Sequence, residues 1–185
     1  MSKPLAGLRI LDLTHMLSGP YGAMILADLG AETIKVEPLQ GEGTRKLLAT
    51  DPNNSLEGQG AYFITLNRNK QSVALDLKSD QGLEVFYDLV RESDIVIENF
   101  SAGVAGKLRI DYDHLAKINP RLINCSISGF GSDGPNYQRP AFDQHKLDQR
   151  KHHVDHRHIQ IGYPDRRQPL CRCEQPVNHP ADFET

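Results

Sequence analysis

Four groups of residues in this chain have the types and spacing to do chemistry. Ser18-Gly19-Pro20 stands directly before a helical stretch, where backbone N–H groups can meet a phosphate or a carboxylate. It is neither a GxGxxG fingerprint nor a GxxxxGK-Ser/Thr loop, so on pattern alone a plain structural turn is the simpler reading. His15 lies just before it, at a strand end. A lone histidine in such a place is more often packed or solvated than catalytic. Asn99 and Phe100 follow a buried-type strand, the position at which open α/β sheets hold ligands, although a polar strand end followed by a core Phe explains them as well. Arg68, Lys70, Lys78 and Lys107 can pair with phosphates, but taken singly each reads as a solvated surface charge. A fifth group, His152, His153, His156 and His158 with Cys171 and Cys173, resembles a metal tract. Its spacings match no usual zinc pattern and no periodic scaffold would hold it, so no metal site is expected.

The elements that must position these groups come in a regular order. Residues 8–13 form a short apolar strand, residues 21–29 a helix that Gly30 ends, and residues 33–37 a second strand. This minimal βαβ unit sets a parallel sheet and puts a helix N-terminus beside strand ends. Residues 38–61, rich in Gly, Pro, Asn and charge, are expected to be a long surface loop with one helical turn at 45–49. A short apolar segment (62–66) and a polar turn (67–70) lead to a third strand at 72–77. Ser79 then caps a helix whose Leu83, Phe86, Leu89 and Val90 recur at helical spacing. Residues 94–98 read as a fully buried parallel strand. A short helix carries Val104 and Leu108, and either Asp111 or Asp113 starts the next one, which Asn119-Pro120 closes. Residues 122–127 form the fifth strand and residues 129–135 an irregular loop. Strands alternating with helices, without an obvious hairpin signal, give an α/β fold with a Rossmann-like parallel sheet and flanking helices.

The 185 residues are enough for one domain with a real core. A net charge of −3 points to neither a nucleic acid nor an anionic membrane as partner. Met1-Ser2-Lys3-Pro4 lacks an apolar signal core, and no stretch approaches the roughly 20 apolar residues of a membrane span. Three cysteines make no disulfide framework, so a cytoplasmic location is expected. Composition breaks sharply near residue 145. Residues 145–185 hold six of the eight histidines and only six Leu, Ile and Val residues, too little apolar surface to offset ordering entropy. Two parts are therefore expected: residues 1–144, folded, and residues 145–185, disordered.

Four motifs in order carry a resemblance. KPLAGLRILDLTHMLSGPYGAMILADLGAETIKVE, NRNKQSVALDLKSDQG, SDIVIENFSAGVAGKL and NPRLINCSISGFGSDGP together resemble the family III CoA-transferases (the CaiB/BaiF type), from Lys3 to about Gln144. The superfamily includes formyl-CoA:oxalate CoA-transferase, carnitine CoA-transferase and α-methylacyl-CoA racemase. The resemblance implies the N-terminal part of a large domain that binds coenzyme A, or an acyl-CoA, as substrate, with no permanently bound cofactor. It implies a CoA cleft lined by Leu17 and Ser18, by Leu75, Asp76, Leu77 and Lys78, and by Asn99, Phe100 and Ser101. Lys107 stands where members often carry a basic residue for the CoA phosphates, and Pro140, Ala141, Phe142 and Asp143 lie beside the pantetheine.

Departures from the family pattern narrow what the resemblance implies. Leu17 replaces a Gln that orients the acyl group in formyl-CoA:oxalate transferases and cannot donate its hydrogen bond, which argues against oxalate specificity. Phe142 replaces the His of the racemases, so transferase chemistry outranks racemase or isomerase chemistry. The transferases use an Asp nucleophile in a V-G-x-S-x-x-D-x-x-T-G-like context, absent from this sequence. Asp155, Asp165 and Asp182 lack that surrounding motif, so no catalytic residue is assigned. Shifting the codons of residues 148–157 by one nucleotide permits ISGSIMSITG, a family-like string at the family's distance from Phe142. The expectation is that residues from about 145 onward are out-of-frame translation, and that the chain is a truncated, inactive fragment, at most a non-enzymatic CoA binder. The resemblance implies an acyl-CoA and a small carboxylic acid as partners; the full-length family forms an interlocked homodimer, an assembly not expected here.

Overall fold

The computed structural model describes residues 3–131, 135–139, 141 and 158–162. Its chain runs β1 (Arg9–Asp12), α1 (Ser18–Asp28), β2 (Glu32–Glu37), a single 3-10 turn (Gly43–Lys46), β3 (Ser55–Leu56), β4 (Gln59–Gly60), α2 (Ala61–Leu66) and β5 (Lys70–Ala74). It continues with α3 (Asp80–Arg91), β6 (Ile95–Glu98), α4 (Val104–Lys107), α5 (Tyr112–Ile118), β7 (Ile123–Ser128) and β8 (His158–Gly162). The main sheet has the order β5-β2-β1-β6-β7-β8. The first five of these strands pair in parallel, with helices as crossovers. Chain progression reverses between β1 and β6, which makes their carboxyl ends the topological switch point of the sheet.

Alternation along each strand splits the core into two faces. Leu11, Leu13, Val36 and Val96 join Leu83, Phe86 and Val90 of α3 and Leu115 of α5 in one apolar cluster. Ile10 and Ile97 point the other way and meet Ala23 of α1 and Ala31 in a smaller one. The apolar spacing of α3 is the reason it docks, and Ser79 starts it, its Oγ accepting the Gly82 N–H at 3.0 Å. Asp111, rather than Asp113, caps α5 by accepting the His114 N–H. Gly30 ends α1 with φ of 109°, a left-handed position that a Cβ would strain.

The structure differs from the sequence expectations at five places. Ser18-Gly19-Pro20 is the first turn of α1 instead of a loop before it. The 38–61 stretch contains a 3-10 turn at Gly43–Lys46 and a small antiparallel hairpin, β3–β4. Its two-residue turn, Glu57-Gly58, has φ of 51° and 75°, the doubly left-handed geometry that suits tight hairpins. The apolar segment at 62–66 is helix α2, which buries Phe63 and Leu66 three residues apart. The third strand spans Lys70–Ala74, because its partner β2 ends at Glu37, whose carbonyl accepts the Leu75 N–H at 2.8 Å, while the side chains of Leu75 and Leu77 pack on the α3 cluster. Finally, β8 adds an antiparallel edge within the stretch expected to be disordered, pairing Ile159 with Ile127 and Ile161 with Cys125. The other residues of that stretch, including His152, His153, His156, Cys171 and Cys173, lie outside the described residues. Among the described residues no helix is long and apolar enough to cross a membrane.

Phe86 is fully buried at the centre of the larger cluster. Phe86→Ala should cost about 3–5 kcal/mol in urea denaturation, whereas Val85→Ala on the exposed side of α3 should stay within roughly 0.5 kcal/mol.

Candidate functional site

Five parallel strands direct their carboxyl ends to one edge, and the chain leaving β1 crosses that edge in Thr14, His15 and Met16 before α1 begins. Irregular backbone at a buried place must find hydrogen-bond partners. Here side chains supply them. The Asn99 carboxamide, just past β6, clamps His15 on both sides: its Oδ1 accepts the His15 N–H at 2.8 Å and its Nδ2 donates to the His15 carbonyl at 2.9 Å. The two loops of the switch point are thereby tied into one unit. The Asp12 carboxylate accepts the Thr14 N–H, and Lys35 Nζ donates to the Thr14 carbonyl at 2.8 Å. Glu42 Oε1 accepts the Met16 N–H at 3.4 Å. Met16 takes φ of 67°, a left-handed conformation uncommon for a long side chain and held by these contacts.

Sequence-predicted site residues divide into three sets. Leu17, the half-exposed N-cap of α1, and Ser18 follow His15 in the chain, and Phe100 and Ser101 follow Asn99, so the His15–Asn99 clamp brings the two loops to the same edge. Gly19 is required there, because a Cβ at that position would lie 2.5 Å from Thr14 Cβ. Phe100 packs against the α3 cluster and tilts against the His15 ring at 4.9 Å. Leu75 and Leu77 likewise turn into the core, leaving their backbone at the β5 end, while Asp76 Oδ1 accepts the Lys78 N–H at 3.0 Å. Lys78 and Lys107 are exposed and form no ion pair among the described residues. Ala141 lies against Gly129 past the end of β7, so close that a Cβ on Gly129 would fall 2.1 Å from its own. Pro140, Phe142 and Asp143 lie outside the described residues.

Two of the four cations read as surface charges are committed elsewhere. Arg68 pairs with Asp28 at 2.5 Å on the surface. The Lys70 side chain is buried, and its Nζ donates to Asp12 at 2.7 Å, to the Pro20 carbonyl and to Asn67. Burial lowers the Lys70 pKa, against the pull of Asp12. His15 is also lowered from its ordinary value, first by burial and then by the charge of Lys35, which favours neutral imidazole. Glu98 is raised by burial, against hydrogen bonds from Ser126 and the Phe100 N–H. Burial, together with Glu98, pushes the Cys125 thiol up to about 11, so it is a poor nucleophile at neutral pH. Sequence reasoning missed Lys35, Glu37, Glu42 and Arg45. Glu37 takes both Arg45 Nε and Ser72 Oγ, and Arg45 lies 3.9 Å over the Phe63 ring, which fixes the 3-10 turn and α2 beside the strand ends. The one sequence signal was a polar residue at every second position of ETIKVE (Thr33, Lys35 and Glu37), a pattern that normally marks a solvated face.

The family model of CoA-transferase family III matches residues 5–147. Among curated proteins, acetyl-CoA:oxalate CoA-transferase of Acetobacter aceti is 46% identical over 141 residues, 76% of this chain and 35% of that protein. Succinyl-CoA:glutarate CoA-transferase of Mus musculus is 41% identical over 142 residues, 76% of this chain and 32% of that protein. Among solved structures, a CaiB/BaiF family protein from Brucella suis superposes with a TM-score of 0.72 at 42% identity, covering 78% of this chain and 38% of that one. The chain therefore spans about a third of the length of the curated relatives it matches.

Burial alone would raise the Glu37 carboxyl, but hydrogen bonds from Arg45, Ser72 and the Glu42 N–H, with the Arg45 charge, hold it at about 2. Because its folded value is depressed, it adds stability above its unfolded value near 4.5 and loses it as pH falls through about 2. The share at neutral pH is on the order of 3 kcal/mol. Glu37→Gln should be destabilised by that order at pH 7 and should show a flatter fall in stability between pH 4.5 and 2, measured by urea denaturation across that range.

Proposed function

The chain belongs to CoA-transferase family III, and from that membership we propose that its described residues form the coenzyme A side of a transferase cleft. The observation that carries this reading is the switch point itself. The β1–α1 and β6 loops are locked together through Asn99 and His15, beside the N-terminus of α1, with the cations of Lys78 and Lys107 unpaired among the described residues. A helix N-terminus and uncommitted ammonium groups at strand carboxyl ends suit a polyanionic nucleotide. Leu17, Ser18, Leu75, Asp76, Leu77, Lys78, Asn99, Phe100, Ser101 and Lys107 line it in this reading, continued by Pro140, Ala141, Phe142 and Asp143. Where Leu75, Leu77 and Phe100 give their side chains to the core, their backbone is what faces the ligand.

The whole enzyme in this reading moves CoA from an acyl-CoA to a small carboxylic acid. An Asp carboxylate attacks the acyl-CoA carbonyl and expels CoA thiolate to form an aspartyl anhydride; the thiolate then attacks the aspartyl carbonyl and expels the donor acid to form an aspartyl-CoA thioester, so that one transfer becomes several easier steps. The relatives named above pair an acyl-CoA with oxalate or with glutarate. Leu17 offers no side-chain donor, which favours an acceptor other than oxalate. This sequence has no Asp in the nucleophile's motif, and residues 145–185 are taken as out-of-frame. The chain therefore binds CoA without turning it over.

Calorimetric titration with CoA and a turnover assay on the same preparation test this. Binding should weaken as salt rises. Lys78→Ala/Lys107→Ala should bind roughly tenfold or more weakly, with a shallower salt dependence. No transfer between an acyl-CoA and a carboxylic acid should be seen. Robust turnover would overturn the inactivity, and binding indifferent to both lysines would overturn their assignment.

A further inference from the structure

The face of the sheet beneath α1 holds charge where the opposite face holds hydrocarbon. Among the described residues, its apolar cluster contains only Ile10, Ala23, Ala31 and Ile97 as buried members. The same face continues toward the strand carboxyl ends as Asp12, Thr14, Thr33, Lys35 and Glu37, all buried, with Glu42 beside them. The Lys70 side chain completes this layer by pairing with Asp12. Asp12, Glu42, Lys35 and Lys70 thus set two carboxylates against two ammonium groups. Lys35 and Glu42 both act electrostatically on Lys70 and on His15, so the charges form one cluster.

Buried charge is costly, and a layer of this kind is weak evidence for stability. What distinguishes this one is where its hydrogen bonds go. Lys35 pairs in register with Asp12, yet its ammonium does not bond that carboxylate. The four-carbon stem runs forward past Leu13, and Nζ donates to the Thr14 carbonyl at 2.8 Å. That carbonyl is the last acceptor before the His15 clamp and the left-handed Met16. Past the clamp, Glu42 accepts the Met16 N–H.

We infer that Lys35 is a positioning residue, whose buried ammonium sets the path of the β1–α1 loop and so the place of Leu17 and Ser18 at the cleft. A methionine would fill the space of the stem. It would leave the Thr14 carbonyl without its donor, and Asp12 and Glu42 with one counter-charge fewer. These two losses can be separated. Adding Glu42→Gln to Lys35→Met restores the balance of charge and keeps an amide oxygen for the Met16 N–H, but does not restore the donor to Thr14. The influence on CoA rests on the cleft reading given above. The influence on the loop does not.

Lys35→Met and Lys35→Met/Glu42→Gln should be compared with the unsubstituted chain by amide hydrogen exchange, thermal unfolding and CoA titration. The double variant should recover most of the unfolding temperature lost in the single one. In it the His15 and Met16 amides should still exchange at least about tenfold faster than in the unsubstituted chain, while the amides of β6 and α3 do not change. CoA affinity should stay reduced by about tenfold or more. Unchanged exchange at His15 and Met16 in the double variant would overturn the inference and leave Lys35 a counter-charge only. Failure of the unsubstituted chain to bind CoA would sink the cleft reading, while the exchange result would still decide the role of Lys35.

Discussion

A parallel sheet whose connections cross its carboxyl edge must let its backbone leave the hydrogen-bond ladder without stranding polar groups, and in this chain that constraint falls on Thr14, His15 and Met16. Their backbone is held by Asp12, Lys35, Glu42 and Asn99, from β1, β2, the segment before the 3-10 turn and the end of β6. Much else follows from it. The β1–α1 helix start is fixed because the residues before it are fixed. The core under α1 is small because the space is given to charged side chains that reach the loop. Gly19 has no side chain because Thr14 occupies the room. The 3-10 turn and α2 are drawn in through Glu37, Arg45 and Phe63.

Much of the frame was legible in the residues. Short stretches rich in apolar residues, separated by helical and turn signals, mark the strands, and β1, β2, β6 and β7 were found to within two residues at either end. The apolar spacing of α3 and its Ser79 cap were equally plain, since both are local signals. The hairpin β3–β4 and the short helix α2 were missed because each is too brief for periodicity to register. The Glu57-Gly58 pair was the available clue to the hairpin.

The site was legible only in outline. Asn99 stood out by its place after a buried strand, but its partner His15 is 84 residues away, and nothing local announces the clamp. Lys70 reads as a turn lysine until Asp12, 58 residues distant, is seen beside it. Lys35 alternates with apolar neighbours as a solvated residue would, yet lies under a helix. Charges buried by long-range pairing imitate surface charges in sequence, and this is the physical reason the polar layer escaped notice. The resemblance to family III CoA-transferases, now joined by a family match over residues 5–147, is what points the proposed CoA site to this edge of the sheet.

The central claim is that coenzyme A is held at the carboxyl ends of the strands, around the loops joined by Asn99 and His15. Titrating CoA into the isotope-labelled chain and following backbone amide resonances tests it most directly. The account predicts shifts concentrated at Leu17, Ser18, Asn99 and Ser101, with Arg9, Glu32, Asp94 and Ile123 at the opposite edge unmoved. Shifts concentrated at that opposite edge, or none at the switch point under saturating CoA, would contradict it.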